Sequence, residues 1–191
     1  MIFPSPPDVL GGPELKAFEI NAQHISGSRF LQIGAYTGAA TLWLHSRFPE
    51  AEIHDVDTWT GSPLHPEQCS DRKWEEVTST YFSRVKDIAQ IIPHICTSND
   101  FFASGYVDFD FIYIDGDHST EQVWRDALGA WSHLRLGGII AFDDYHHIKG
   151  DVPRKAVDRF VSGHNVVVIS DADLIATQNG EPRQRWVKRA N

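Results

Sequence analysis

Cysteine is scarce in this 191-residue chain: Cys69 and Cys96 are the only two, and no C-x-x-C occurs. A disulfide framework and a thiolate zinc site are both excluded as organising devices. Basic residues are outnumbered, with 17 Lys and Arg against 26 Asp and Glu, for a formal net charge of −9. Proteins that work on a phosphate backbone or an anionic membrane surface need clustered cations, so neither nucleic acid nor membrane is an expected partner. No apolar run approaches the roughly 20 residues that span a bilayer, and the opening MIFPSPPDVLGG has neither a basic nor an apolar signal region. A cytoplasmic location is the expectation. G-x-S-x-G is missing, which removes the nucleophile elbow of serine hydrolases. No fixed-period repeat, low-complexity tract or linker divides the chain.

What is present is the patterning of a single α/β domain over residues 1–191, with a flexible Pro- and Gly-rich arm at 1–13. The length allows one hydrophobic core rather than two. ELKAFEINAQHI carries apolar residues at helical spacing until Gly27 stops it. From Arg29 onward short apolar runs alternate with helical stretches: RFLQI, GAATLWLHSRF, AEIHDV, WEEVTSTYFSRVKDIA, IIPHIC, FDFIYID, STEQVWRDALGAWSHL, GGIIAFDD, VPRKAVDRFVSG, NVVVIS and DLIAT. Strands alternating with helices of this length imply parallel pairing with helices on both faces, a three-layer sandwich. Trp124 and Trp131, one heptad apart on a helix, read as core.

In open sheets of this kind a ligand sits beyond the carboxyl ends of the strands, where the winding reverses. The first strand runs into Gly34-Ala35-Tyr36-Thr37-Gly38, a glycine turn feeding a helix N-terminus that favours an anionic group. In a G-x-G-x-x-G dinucleotide fingerprint the second glycine would stand at Tyr36, whose ring disfavours a pyrophosphate and leaves room for a carboxylate-bearing ligand. A left-handed structural glycine would explain Gly34 or Gly38 equally. The second strand ends at Asp55-Val56-Asp57, with Asp57 placed to accept from ribose hydroxyls or to sit as a solvated turn carboxylate. Thr97-Ser98-Asn99-Asp100 can cap a helix or bond an adenine edge. Two strand ends carry the most: Asp115-Gly116-Asp117-His118, and Asp143-Asp144 followed by Tyr145-His146-His147. Three carboxylates at neighbouring strand ends repel unless they share a proton or a cation, and hard oxygen donors suit Mg²⁺ or Ca²⁺ rather than zinc. Asp117 or Asp144 could instead cap a turn.

LQIGAYTGAAT, DVDTWTGSP, TSND, IDGDHSTEQVWRDALGAW and LRLGGIIAFDDY together resemble the class I S-adenosylmethionine-dependent O-methyltransferases. Over residues 30–160 they are similar to the divalent-metal-dependent branch, which includes catechol O-methyltransferase and macrocin- and mycinamicin-type sugar O-methyltransferases. The resemblance implies a Rossmann-like three-layer sandwich with a mostly parallel seven-stranded sheet and an antiparallel last strand. It implies a cofactor site in which Gly34, Tyr36 and Gly38 surround the methionine and Asp57 holds the ribose. Trp59, Ser98 and Asn99 would contact the adenine. Asp115 would border the cofactor and, with Asp143 and Asp144, bind the metal. His118 stands where catechol-type members carry a lysine base, and the D-G-D form makes Asp117 its rival. Gln32 departs from the family's usual glutamate, so an anionic contact to the methionine ammonium is missing, although an amide still accepts a hydrogen bond.

The implied reaction is transfer of a methyl group to a hydroxyl of a small molecule such as a sugar or phenol. Two rivals share the fold: a non-catalytic nucleotide-binding module, and a nicotinamide-dependent oxidoreductase, against which Tyr36 and the short chain count. The loops around Gly61 to Arg72 and Tyr145 to Pro153, with the arm, are where acceptor choice is expected to lie. Oligomeric state is left open, with a homo-oligomer among the options.

Overall fold

The computed structural model describes residues 13–61, 71–106, 108–146, 152–169 and 183–190. Helix α1 (Pro13–Asn21) and a 3-10 turn (Ala22–His24) precede β1 (Arg29–Ile33), α2 (Ala39–Arg47), β2 (Glu52–Asp57) and α3 (Asp71–Val85). Then come β3 (Ile91–Ile95), α4 (Ser98–Ala103), β4 (Phe109–Ile114), α5 (Thr120–His133), β5 (Leu134–Phe142), α6 (Val152–Gly163), β6 (Val166–Val168) and β7 (Arg185–Arg189). The seven strands form one sheet in the order β3-β2-β1-β4-β5-β7-β6. Pairs among β1 to β5 are parallel, and β7 runs antiparallel to both β5 and β6. This is the Rossmann-like α/β sandwich with an antiparallel last strand that the sequence implied.

Because strand side chains alternate, each strand feeds two apolar layers. Phe30, Ile53, Phe111 and Tyr113 face α1, α2 and α3, where Phe18 meets Trp43, Phe111, Tyr113 and Trp186 edge-on. Leu31, Val56, Ile112 and Ile140 face α5 and α6, where Val123, Ala127, Ala130 and Phe160 cover them. Trp124 and Trp131 join this second layer as expected, their outer faces covered by the guanidinium groups of Arg159 and Arg189 at 3.9 and 4.2 Å.

The winding reverses between β1 and β4, and the hydrogen-bond ladder runs one residue past the strand ends there. Gly34 N donates to Val56 O, Asp115 N to Ile33 O and Asp143 N to Ile114 O, at 2.8, 2.8 and 3.0 Å. Those bonds fix Gly34, Asp115 and Asp143 side by side. The final strand is RWVKR rather than the expected DLIAT, whose residues lie outside the described ones. Three cations in five residues hide the strand, yet Trp186 and Val187 are fully buried, one on each face. The helix also begins at Pro13, which the arm was expected to include; the rest of the arm lies outside the described residues. Among the described residues no helix is long and apolar enough to cross a membrane.

Candidate active site

At the switch point a cavity of about 630 Å³ opens beyond the strand ends, within the range of roughly 300–1,000 Å³ usual for small-molecule sites. Its first wall is the glycine turn. Gly34 has φ +87°, and a Cβ there would lie 2.0 Å from the carbonyl oxygen of Asp115, so only glycine lets the β1 and β4 exits touch. Asp57 ties this turn to β2: its Oδ2 accepts from Tyr36 N at 2.9 Å and its Oδ1 from Trp59 N at 2.7 Å. Burial raises the Asp57 pKa, and these backbone bonds draw it part of the way back.

Of the expected cofactor residues, Gln32, Gly34, Tyr36, Asp57, Ser98, Asn99 and Asp115 line the cavity; Trp59 and Gly38 do not. Trp59 is buried against Tyr81 and Phe82, and its indole N–H donates to Tyr36 O at 2.8 Å. The loop position suggested a pocket wall, but the ring turns inward to the α3 layer and meets the site through two hydrogen bonds, its indole N–H to Tyr36 O and its backbone N–H to Asp57. Gly38 serves as the left-handed N-cap of α2 and packs against Tyr81.

At the other end of the cavity Thr97 caps α4, its Oγ1 accepting from Asp100 N at 3.1 Å. Capping thus falls to Thr97 and leaves Ser98 and Asn99 on the cavity wall. Gln122 Nε2 reaches Ser98 Oγ at 3.1 Å and Asp126 Oδ1 at 2.9 Å. Asp126, buried with no hydrogen-bond partner on Oδ2 among the described residues, has its pKa pushed up to about 6, chiefly by burial. Sequence reasoning passed over both residues; their i, i+4 spacing on the cavity-facing side of α5 was the available signal.

The acidic corner brings Asp115, Asp143 and Asp144 together as expected. Asp143 Oδ1 accepts from Gln184 Nε2 at 2.8 Å, and that glutamine is held by Trp186 Nε1 at 2.9 Å. Asp144 Oδ1 lies 2.8 Å from the Arg183 guanidinium, and His118 sits between Asp115 Oδ1 and Asp144 Oδ2 at 3.5 and 3.2 Å. Burial and the neighbouring charges of Asp115 and Asp144 raise Asp143 well above the usual carboxylate range. Burial opposes charge on His118, but the three carboxylates outweigh it and push its pKa up to about 9. In this arrangement the imidazole is a cation held by acids. Asp117 borders the cavity and its Oδ1 accepts from Ser119 N at 2.7 Å, so one oxygen is spent on the turn before α5. Among the described residues, no three His, Cys, Asp or Glu side chains are already gathered around one point as metal ligands.

Behind the glycine turn a second polar group is sealed from the cavity. Asp55, fully buried, accepts from Tyr81 Oη at 2.6 Å and from Thr41 Oγ1 at 2.7 Å, and burial pushes its pKa up to about 7.

A sequence profile described as a methyltransferase domain matches residues 31–145. The chain belongs to the methyltransferase-domain family. The matched span begins in β1 and ends just past Asp144, so it takes in every strand end that builds the cavity of this methyltransferase. Among solved structures, the O-methyltransferase NovP is similar with a TM-score of 0.64 at 15% identity, over 92% of this chain and 77% of that one. An O-methyltransferase from Bacillus cereus in complex with SAH gives 0.62 at 15%, over 99% and 84%. An rRNA methylase from Streptococcus thermophilus gives 0.64 at 11%, over 100% and 99%. At these identities the likeness is one of fold. No curated protein matches the chain in sequence.

Proposed function

We propose that this methyltransferase moves the methyl group of S-adenosylmethionine to a hydroxyl oxygen of a small molecule. The observation that carries the reading is one cavity lined, from strand end to strand end, by residues suited to each part of that cofactor. Ser98 and Asn99 offer polar edges to an adenine, Asp57 lies between them and the glycine turn, and Gln32 and Gly34 close the amino-acid end. The B. cereus O-methyltransferase, of the same fold, is in complex with SAH. Bound in this way, the cofactor would present its methyl group on the side of Asp115, Asp143 and Asp144. The acceptor oxygen forms its bond to the methyl carbon as the carbon–sulfur bond breaks, and the hydroxyl proton leaves to a base. Alignment of two reactants is the main contribution, with effective molarities worth roughly 7–11 kcal/mol in well-oriented cases. The net charge of −9 favours a small acceptor over a nucleic acid.

The donor set of the acidic corner fits a hard divalent ion: three carboxylates at adjacent strand ends, Asp115 and Asp143 raised chiefly by burial and further by the neighbouring carboxylates, with the cationic side chains of His118 and Arg183 already against Asp144. Asp115, Asp143 and Asp144 would hold Mg²⁺ or Ca²⁺, and the ion supplies Lewis acidity toward the acceptor oxygen. With those carboxylates engaged by an ion, His118 would lose the charges that hold it protonated and would be the group to take the hydroxyl proton, while Asp117, held by Ser119 N, would orient the acceptor.

Thermal melts with S-adenosylmethionine, SAH, NAD and ATP, each with and without Mg²⁺, test the reading. Stabilisation of RT ln(1 + [L]/Kd) is expected for the first two alone. Stabilisation by NAD alone would overturn it in favour of an oxidoreductase. Transfer of label from methyl-labelled cofactor to hydroxylated acceptors then separates an enzyme from a binding module, and undiminished turnover after exhaustive chelation removes the metal.

A further inference from the structure

The wall that faces the amino-acid end of the cofactor is a neutral amide, yet a carboxylate lies directly behind it. Gln32 and Asp55 are register partners across β1 and β2, on the sheet face covered by α2 and α3. Thr41 stands between them, with its Oγ1 at 2.7 Å from Asp55 Oδ2 and 3.1 Å from Gln32 Oε1. A hydroxyl has one hydrogen to give and here has two acceptors in reach. Gln32 directs its amide nitrogen to Gly34 O at 3.1 Å, away from Thr41, and Tyr81 gives its hydrogen to Asp55. The row Asp55–Thr41–Gln32 is therefore one hydrogen short. Asp55 Oδ1 has no partner among the described residues either.

Two arrangements supply the missing hydrogen. In one, Asp55 is protonated and donates to Thr41, which donates to Gln32 Oε1. In the other, a donor arrives from the cavity at Gln32 Oε1, and Thr41 turns its hydrogen to an ionised Asp55. An ammonium is such a donor, and its charge makes the second arrangement electrostatically coherent, with the buried carboxylate facing it across two short side chains. We infer that Asp55 is a positioning residue, the buried counter-charge for the ammonium of the bound cofactor, acting through Thr41 and Gln32. The inference rests on the S-adenosylmethionine reading above. When the ammonium binds, the O–H bond of Asp55 breaks and its proton leaves to solvent, so cofactor binding and ionisation of Asp55 favour each other. The groups that face Asp55 are Thr41 of α2, Tyr81 of α3, Gln32 of β1, Pro93 of β3 and, along its own strand, the acid Asp57; none of them is a cation.

The test is calorimetry of two ligands, SAH and 5′-methylthioadenosine, which share the nucleoside thioether and differ in the amino-acid end. Asp55→Asn should weaken SAH by about tenfold or more, as expected for a lost charge-assisted contact, and leave methylthioadenosine within twofold. In the parent, SAH affinity should rise as pH is raised through about 7 and binding should release protons, whereas Asp55→Asn should show neither effect. If Asp55→Asn fails to fold, Thr41→Val breaks the same row at its middle and should show the same selective loss. Equal loss of both ligands, or unaltered selectivity with an unaltered pH profile, overturns the inference and leaves Asp55 a structural acid. A parent that binds neither ligand overturns the cofactor reading and this inference with it.

Discussion

Two glycines with the same backbone conformation separate strain from steric contact. Gly34 and Gly105 both have φ +87°, but a Cβ on Gly34 would lie 2.0 Å from Asp115 O, 2.6 Å from Asp115 C and 2.9 Å from Gly116 Cα, whereas one on Gly105 meets nothing within 4 Å. Gly105→Ala should therefore cost only the left-handed penalty, about 1–2 kcal/mol. Gly34→Ala carries that penalty plus the displacement of a backbone carbonyl that no rotamer change can relieve, adding about 1–3 kcal/mol. The exit of β1 would have to part from that of β4, stretching the 2.8 Å bonds from Gly34 N to Val56 O and from Asp115 N to Ile33 O. Urea unfolding reads both variants against the parent, with an unchanged slope m certifying that stability alone has moved. Equal losses in the two variants would refute the close approach of the turn to the Asp115 carbonyl, and with it the account of why the cavity begins at a glycine.

Phe18→Ala empties the point where four aromatic rings meet one, and should cost about 3–5 kcal/mol in the same assay; a loss under 1 kcal/mol would show that α1 is not held by this contact. Asp126 titrates from 3.8 unfolded to about 6 folded, so its contribution to stability is full below the lower value and is lost as pH rises through the upper. Asp126→Asn should accordingly lose less stability than the parent between pH 4 and pH 7, and parallel pH profiles would remove the buried charge from the account. Asp57→Ala should abolish measurable SAH binding by calorimetry, because it removes a cavity wall and releases Tyr36 N and Trp59 N together; parental affinity would reassign the ribose contact.

The parts of this site that were legible in the sequence are those fixed by strand ends. A parallel strand delivers the residue after it to the same edge of the sheet whatever surrounds it, so Gly34, Asp57, Asp115 and Asp143 could be read in order from apolar runs alone. What escaped is what depends on the partner element. Trp59 follows the ribose acid as a cavity residue would, but its ring direction is decided by Tyr81 and Phe82 on a helix that follows it in sequence. Asp55 looks like a second turn acid, and only the packing of α2 and α3 shows it sealed behind the wall. Gln122 and Asp126 needed the orientation of α5 over α4 to be seen as a pair with Ser98. Sequence reasoning passes over RWVKR in favour of DLIAT because three of its five residues are cations, and only its two apolar residues, buried on opposite faces of the sheet, mark it as a strand.

The placement of β7 between β5 and β6 sets an order of assembly. Asp143 and the glutamine that holds it are 41 residues apart, and Arg183 lies next to that glutamine. A growing chain that has emerged only as far as β6 carries its acidic corner complete but without the amide and guanidinium that meet it. Mutual repulsion of the three acids then works against closure of the corner until the last strand inserts. The acidic corner and the sheet that frames it are thus completed by the same strand, and a lesion in β7, remote from the glycine turn in sequence, reaches the corner through Gln184 and Arg183 and both apolar layers through Trp186 and Val187.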